Sequence, residues 1–146
     1  MTDRIASPAL DKLVQSAHIW LKDLMYELNQ SEADQTFHLL QATLQTLRDR
    51  LPAVEAVHLG AQLPAVIRGI YYEGWKFSET PVKSKTKEEF LERITEKYNA
   101  PLGVDTETAA RAVFKLLYHH ISEGEVKKIK NVTPEQLREL WPRKVS

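Results

Sequence analysis

Residues 47–68 read LRDRLPAVEAVHLGAQLPAVIR, and residues 117–138 read LYHHISEGEVKKIKNVTPEQLR. In both stretches apolar side chains recur at three and four positions rather than at two, which is the period of an amphipathic helix and not of a strand. Prolines at Pro52 and Pro64 cut the first stretch into short helices, because proline lacks the amide that a helix interior needs. Set against each other at an offset of seventy, Leu47 meets Leu117, Leu51 meets Ile121, Glu55 meets Glu125 and Leu59 meets Ile129. Pro64 then meets Pro134, Ile67 meets Leu137 and Arg68 meets Arg138, while outside the stretch Ala42 meets Ala112 and Leu21 meets Leu91. A proline, a glutamate and an arginine kept in one ungapped register point to duplication. The expected fold is all-α: a tandem duplication of a small four-helix unit packed into one compact helical body. Residues 1–75 form the first repeat, 76–85 a connection and 86–146 the second.

Outward from this centre the helix signals continue. Ser7-Pro8 is an entry with proline at the first helical position, followed by the stripe Leu10, Leu13, Val14, Ala17, Leu21, Leu24 and Leu28. Ser31 with Asp34 is expected to open a second helix whose buried face is Leu40, Leu44, Leu47 and Leu51. From Lys76 to Lys85 the periodicity lapses into Ser, Thr, Pro and Lys, the composition of an exposed connection. Thr86 with Glu89 is a capping box, Asp105 or Thr106 opens the next helix, Ser122 with Glu125 caps another, and Thr133-Pro134-Glu135-Gln136 starts the last. The segment Leu63–Phe77 carries apolar groups on more than one face, so its helix is expected to lie between the repeats and fill their shared core.

Composition narrows the function classes. The 146 residues carry 20 Lys and Arg against 20 Asp and Glu, so no whole-molecule field draws the protein to nucleic acid or an anionic membrane. The charge is nevertheless divided: residues 1–75 hold six basic and nine acidic residues, net −3, and residues 76–146 hold fourteen and eleven, net +3. With no cysteine there are no disulfides, thiolate zinc sites or cysteine nucleophiles. Met1-Thr2-Asp3-Arg4-Ile5 lacks the basic-then-apolar pattern of a leader, and no run of about 18 apolar residues occurs, so a soluble cytoplasmic protein is expected.

The run Leu47–Pro52, then Glu55-Ala56, His58–Pro64 and Arg68-Gly69-Ile70-Tyr71-Tyr72-Glu73-Gly74-Trp75, resembles the signature of domain-of-unknown-function family 2267. In the second half His120-Ile121-Ser122-Glu123-Gly124-Glu125-Val126 and Leu140-Trp141-Pro142 resemble it as well. The resemblance implies an all-helical bacterial protein of about this size with an internal repeat, and it brings no catalytic residues to carry over.

Templates for chemistry are scarce. Glu55 and His58 have the i, i+3 spacing used by ferritin-like di-iron bundles, but Lys128 stands where the second histidine would have to be. Glu55 and Glu125 read instead as carboxylates serving free amides at the starts of short helices. His119 and His120 point about 100° apart on a helix and do not chelate one ion, while His18, His38 and His58 read as surface or hydrogen-bonded histidines. No Gly-x-Ser-x-Gly elbow and no phosphate loop occurs. No enzymatic activity, metal or cofactor is therefore expected. Function is expected to reside in protein–protein interaction or regulation, with Arg68, Tyr71, Tyr72, Trp75 and Phe77 as the docking patch, because Tyr, Trp and Arg dominate interface hot spots. The partner is another protein or a second copy. One alternative is a helix-turn-helix-like second repeat binding nucleic acid through Lys127, Lys128, Lys130 and Arg138, with Glu135 and Glu139 opposing the phosphates. Another is a small ligand held between the repeats.

Overall fold

The computed structural model describes residues 5–98 and 103–143, so the Met1–Arg4 opening lies outside them. Among the described residues are eight α-helices and no strand. They are α1 (Pro8–Leu28), α2 (Ala33–Arg50), α3 (Ala53–Ala61), α4 (Ala65–Tyr72), α5 (Lys87–Lys97), α6 (Thr106–His120), α7 (Glu123–Val132) and α8 (Glu135–Arg138), with one 3₁₀ turn at Phe77–Glu79. All-α is therefore the observed class.

Four helix starts carry the side-chain caps that their local chemistry predicts. The Ser7 side chain accepts from the Leu10 amide, Asp105 from Thr108 and Ser122 from Glu125, and Thr86 with Glu89 forms a reciprocal capping box. Two starts differ from expectation. α2 is entered from Glu32 rather than Ser31, with no side-chain cap. Before α8 the Thr133 hydroxyl turns back to donate to the Ile129 carbonyl (2.9 Å), leaving Pro134 at the cap position.

The helix buried from several directions is α2, not α4. Along α2, Leu39, Leu40, Ala42, Leu44 and Leu47 are joined in the interior by Thr36, Thr43 and Thr46. Those threonines tolerate burial because their hydroxyls donate to carbonyls one turn back, at 2.7, 2.9 and 2.8 Å. α6 buries Ala109, Ala110, Ala112, Val113, Phe114, Leu116 and Leu117. α2 packs on α5 and α6, α1 packs on α6, and one continuous core runs through both halves of the chain. Phe114 is its hinge of aromatic packing, 5.9 Å from Phe90 and 4.7 Å from Trp141 between ring centroids.

The expectation that Leu63–Phe77 fills the space between the halves is overturned. α4 buries only Ile67 and Tyr71 and packs chiefly on α1, α2 and α3, because its other face carries Arg68 and Gly69 in solvent. Its C-terminus is held by α2: Gln45 Nε2 donates to the Ile70 carbonyl (2.8 Å), and Arg48 donates to those of Tyr71 (2.8 Å) and Glu73 (2.9 Å). Arg48 is itself buried, its charge balanced by Asp49 at 2.8 Å. The 76–85 connection is less free than its composition suggests. The Val82 amide donates to Asp49 O (2.8 Å), Arg50 Nε to Ser84 O (2.7 Å), and Ser84 is buried.

Among the described residues, three ion pairs cross between residues 1–75 and 76–146, and in each the acid comes from the first part and the base from the second. Asp23 meets His120 at 2.8 Å, Glu27 meets Lys115 at 3.0 Å and Asp49 meets Lys97 at 3.8 Å. The uneven charge of the sequence is thus used inside the molecule, although exposed pairs contribute only about 0–1 kcal/mol each. At the other extreme, residues 8–16 of α1 are exposed on all sides, including Leu10, Leu13 and Val14 of its stripe; the first buried residue of α1 is Ala17.

Candidate functional site

Two places in the molecule combine residues of functional chemistry. The first is the aromatic segment. Tyr71 is fully buried, its hydroxyl donating to the Ala56 carbonyl at 2.7 Å, and burial pushes its pKa upward; it belongs to the core and not to a docking patch. Arg68 donates to the Gly60 and Leu63 carbonyls (2.9 and 2.8 Å), so it closes the end of α3. The remaining three rings form a ladder toward solvent. Tyr72 and Trp75 lie 5.6 Å apart between centroids, Trp75 and Phe77 6.0 Å apart, and Phe77 is 65% exposed. The Tyr72 ring lies across Gly60 so closely that a Cβ there would collide with its phenol. Next to it stands the exposed Val57.

The second place is where α3 meets α7. The reciprocal bonds of Gln62, its Oε1 accepting from the Ser122 amide (2.8 Å) and its Nε2 donating to the Ser122 hydroxyl (3.1 Å), tie the end of α3 to the start of α7. Two turns earlier on α3, Glu55 faces Glu125 of α7. One ligand atom each from Glu55, His58 and Glu125 lies within 4.8 Å of the other two. Glu125 is 5% exposed, and the buried Oε2 atoms of both glutamates have no hydrogen-bond partner. These carboxylates do not serve backbone amides as their first-turn positions suggest. His58 Nδ1 stands 3.6 Å from Glu55 Oε2 at the solvent edge. The Glu125 carboxyl titrates above the usual carboxylate range, first because burial disfavours its charge and then because Glu55 faces it, with His58 and Lys128 opposing.

Sequence reasoning weighed Glu55 with His58 on one helix and missed that Glu125 completes the group. The signal was present in the seventy-residue register, which pairs Glu55 with Glu125.

The basic residues divide differently. Lys127 and Lys128 are exposed on α7, whereas Lys130 and Arg138 are joined by a bond from Arg138 Nε to the Lys130 carbonyl (2.8 Å). Both line a cleft of about 620 Å³ shared with Arg111, Lys115 and Arg143. α8 is a single turn of four residues, too short to lie along a major groove as a recognition helix. The helix-turn-helix reading therefore loses the element that would read bases.

These features describe an all-helical protein with one core, a surface ring ladder and an acid pair of which Glu125 is buried, and no helix among the described residues is long and apolar enough to cross a membrane. The family model for an uncharacterized conserved protein (DUF2267) matches residues 17–140. The chain belongs to that family, as its sequence signature indicates. No curated protein matches it.

Proposed function

We propose that this is a cytoplasmic, non-catalytic interaction module, built by tandem duplication, which associates with a second copy of itself through Tyr72, Trp75 and Phe77. The observation that carries this reading is the ladder of three successive rings ending in a Phe77 that is 65% exposed. Phenylalanine, tyrosine and tryptophan bury large rigid areas at low entropy cost, which is why they concentrate at the centres of interfaces. Exposed Val57 widens the apolar surface beside Tyr72, and Gly60 keeps that ring flat against α3. A formal net charge of zero leaves no long-range repulsion between copies.

The test is light scattering after size exclusion across a concentration series, on the wild type and on Phe77→Asp. Because Phe77 is exposed, the substitution leaves the core intact and the melting temperature is expected to stay within about 2 °C. The wild type is expected to move toward a dimer mass as concentration rises and the variant to remain monomeric. A wild type that stays monomeric at high concentration overturns the self-association reading.

A further inference from the structure

Burying a carboxylate without a hydrogen bond is among the more costly arrangements a small protein can hold, and burying two facing each other is worse. At the junction of α3 and α7 the Oε2 atoms of the buried Glu125 and the partly exposed Glu55 are both out of solvent without a hydrogen bond, and an imidazole completes the cluster. His58 Nδ1 stands 3.6 Å from Glu55 Oε2, within ion-pair reach but too far for a hydrogen bond, and Lys128, one turn after Glu125, acts on Glu125 only through its field, so the buried Glu125 Oε2 has no direct partner. What the arrangement lacks is a cation that both carboxylates bind directly.

We propose that Glu55, His58 and Glu125 form a mononuclear divalent-cation site that clamps α3 to α7. This goes beyond the interaction reading and shares no residue with the ring ladder. Two carboxylate oxygens and one imidazole nitrogen are the donor set of a borderline transition ion such as Zn²⁺ or Mn²⁺, whereas Ca²⁺ and Mg²⁺ favour oxygen alone. Around an ion with bonds of about 2.1 Å, ligand atoms stand roughly 3.4 Å apart in tetrahedral geometry. Atoms within 4.8 Å therefore close on an ion through side-chain movement alone, helped by the half-exposed and adjustable His58. Water completes the coordination on the His58 side, where the site opens to solvent. Because one ligand comes from α7 and two from α3, occupancy strengthens the contact that Gln62 and Ser122 already fix. The site is not the di-iron template, since Lys128 denies it the second histidine.

The experiment titrates chelator-treated full-length protein with ZnCl₂ and, separately, MnCl₂, CaCl₂ and MgCl₂, reading stoichiometry by calorimetry and stability by thermal melt. The variants are Glu125→Gln, which keeps the shape and removes the charge, and His58→Ala, an exposed change that leaves folding intact. Expected are one equivalent of Zn²⁺ or Mn²⁺, a rise in Tm of about 5–10 °C at a hundredfold excess over Kd, and loss of both in each variant. A Zn²⁺ effect that persists in Glu125→Gln locates the ion at other histidines and overturns the site. No metal effect in the wild type, with Glu125→Gln simply melting higher, means that the acid pair shares a proton instead, and also overturns it. Equal response to Ca²⁺ and Mg²⁺, indifferent to His58→Ala, refutes the transition-ion donor set. The dimer mass tested through Phe77 is read separately, so each proposal fails on its own measurement.

Discussion

Arg48 shows how a single side chain can hold two elements together while looking ordinary in the sequence. In the run Leu47-Arg48-Asp49-Arg50 it reads as one of several surface charges, yet it is buried, and its guanidinium spans Asp49 and the carbonyls of Tyr71 and Glu73. Removing one partner of a buried charged network leaves the others desolvated and unsatisfied. Arg48→Met is therefore expected to lower stability by about 2–4 kcal/mol in urea denaturation. A loss below about 1 kcal/mol would mean that water takes the place of the guanidinium. The same blindness hid the Glu55–His58–Glu125 group. Local spacing places His58 near Glu55, but only tertiary packing decides that Glu125 faces them. Tyr71, Tyr72 and Trp75 were legible as a group and not as individuals. The helical period assigns neighbours Tyr71 and Tyr72 to different faces, but it does not say which face meets α1, α2 and α3.

At the level of elements, caps were the most legible feature, because a cap is a bond between residues three apart in sequence. Thr86–Glu89, Asp105 and Ser122 all close their helices as their sequence context indicates. Two of these caps also set a pH dependence. The Glu89 carboxyl lies below its ordinary range, first through the Thr86 hydroxyl and then through the amides of Lys85 and Thr86; the Asp105 carboxyl does so through the Thr108 amide and side chain. With the folded pKa below the unfolded one, the unfolded chain binds more protons in the window between them. The stability these groups give is present above about pH 4 and is lost as pH falls through their folded values. Denaturation between about pH 3 and 7 is expected to show a shallower acid limb in the double variant Glu89→Gln, Asp105→Asn than in the wild type. An unchanged slope would assign acid sensitivity to other carboxylates. Element packing was less legible than element ends. The pattern places the two-faced helix in Leu63–Phe77, whereas α2 fills that role, because buried threonines that satisfy themselves on the turn before look polar in a sequence.

Across the whole molecule, α1, α2, α5 and α6 interleave the two ends of the chain in one core, so neither end retains its packing alone. Trp20 and Trp75 report on the first part and Trp141 on the second. Urea unfolding followed by tryptophan fluorescence and by far-ultraviolet dichroism is therefore expected to give coincident midpoints. Midpoints that separate would reveal two units unfolding independently. The first half of α1 departs from this shared interior, although Ala17, Trp20, Leu24 and Leu28 on the same helix belong to it. Its leading residues, 8–16, are all exposed, and the family match begins at residue 17, the first buried residue of the helix. At a rise of about 1.5 Å per residue, Leu10 stands roughly 10 Å out along the axis from Ala17. That stretch is a built-in mast: a fluorophore or spin label fixed at the exposed Leu10 would turn with the body through a continuous helix, giving a reporter of the molecule's tumbling.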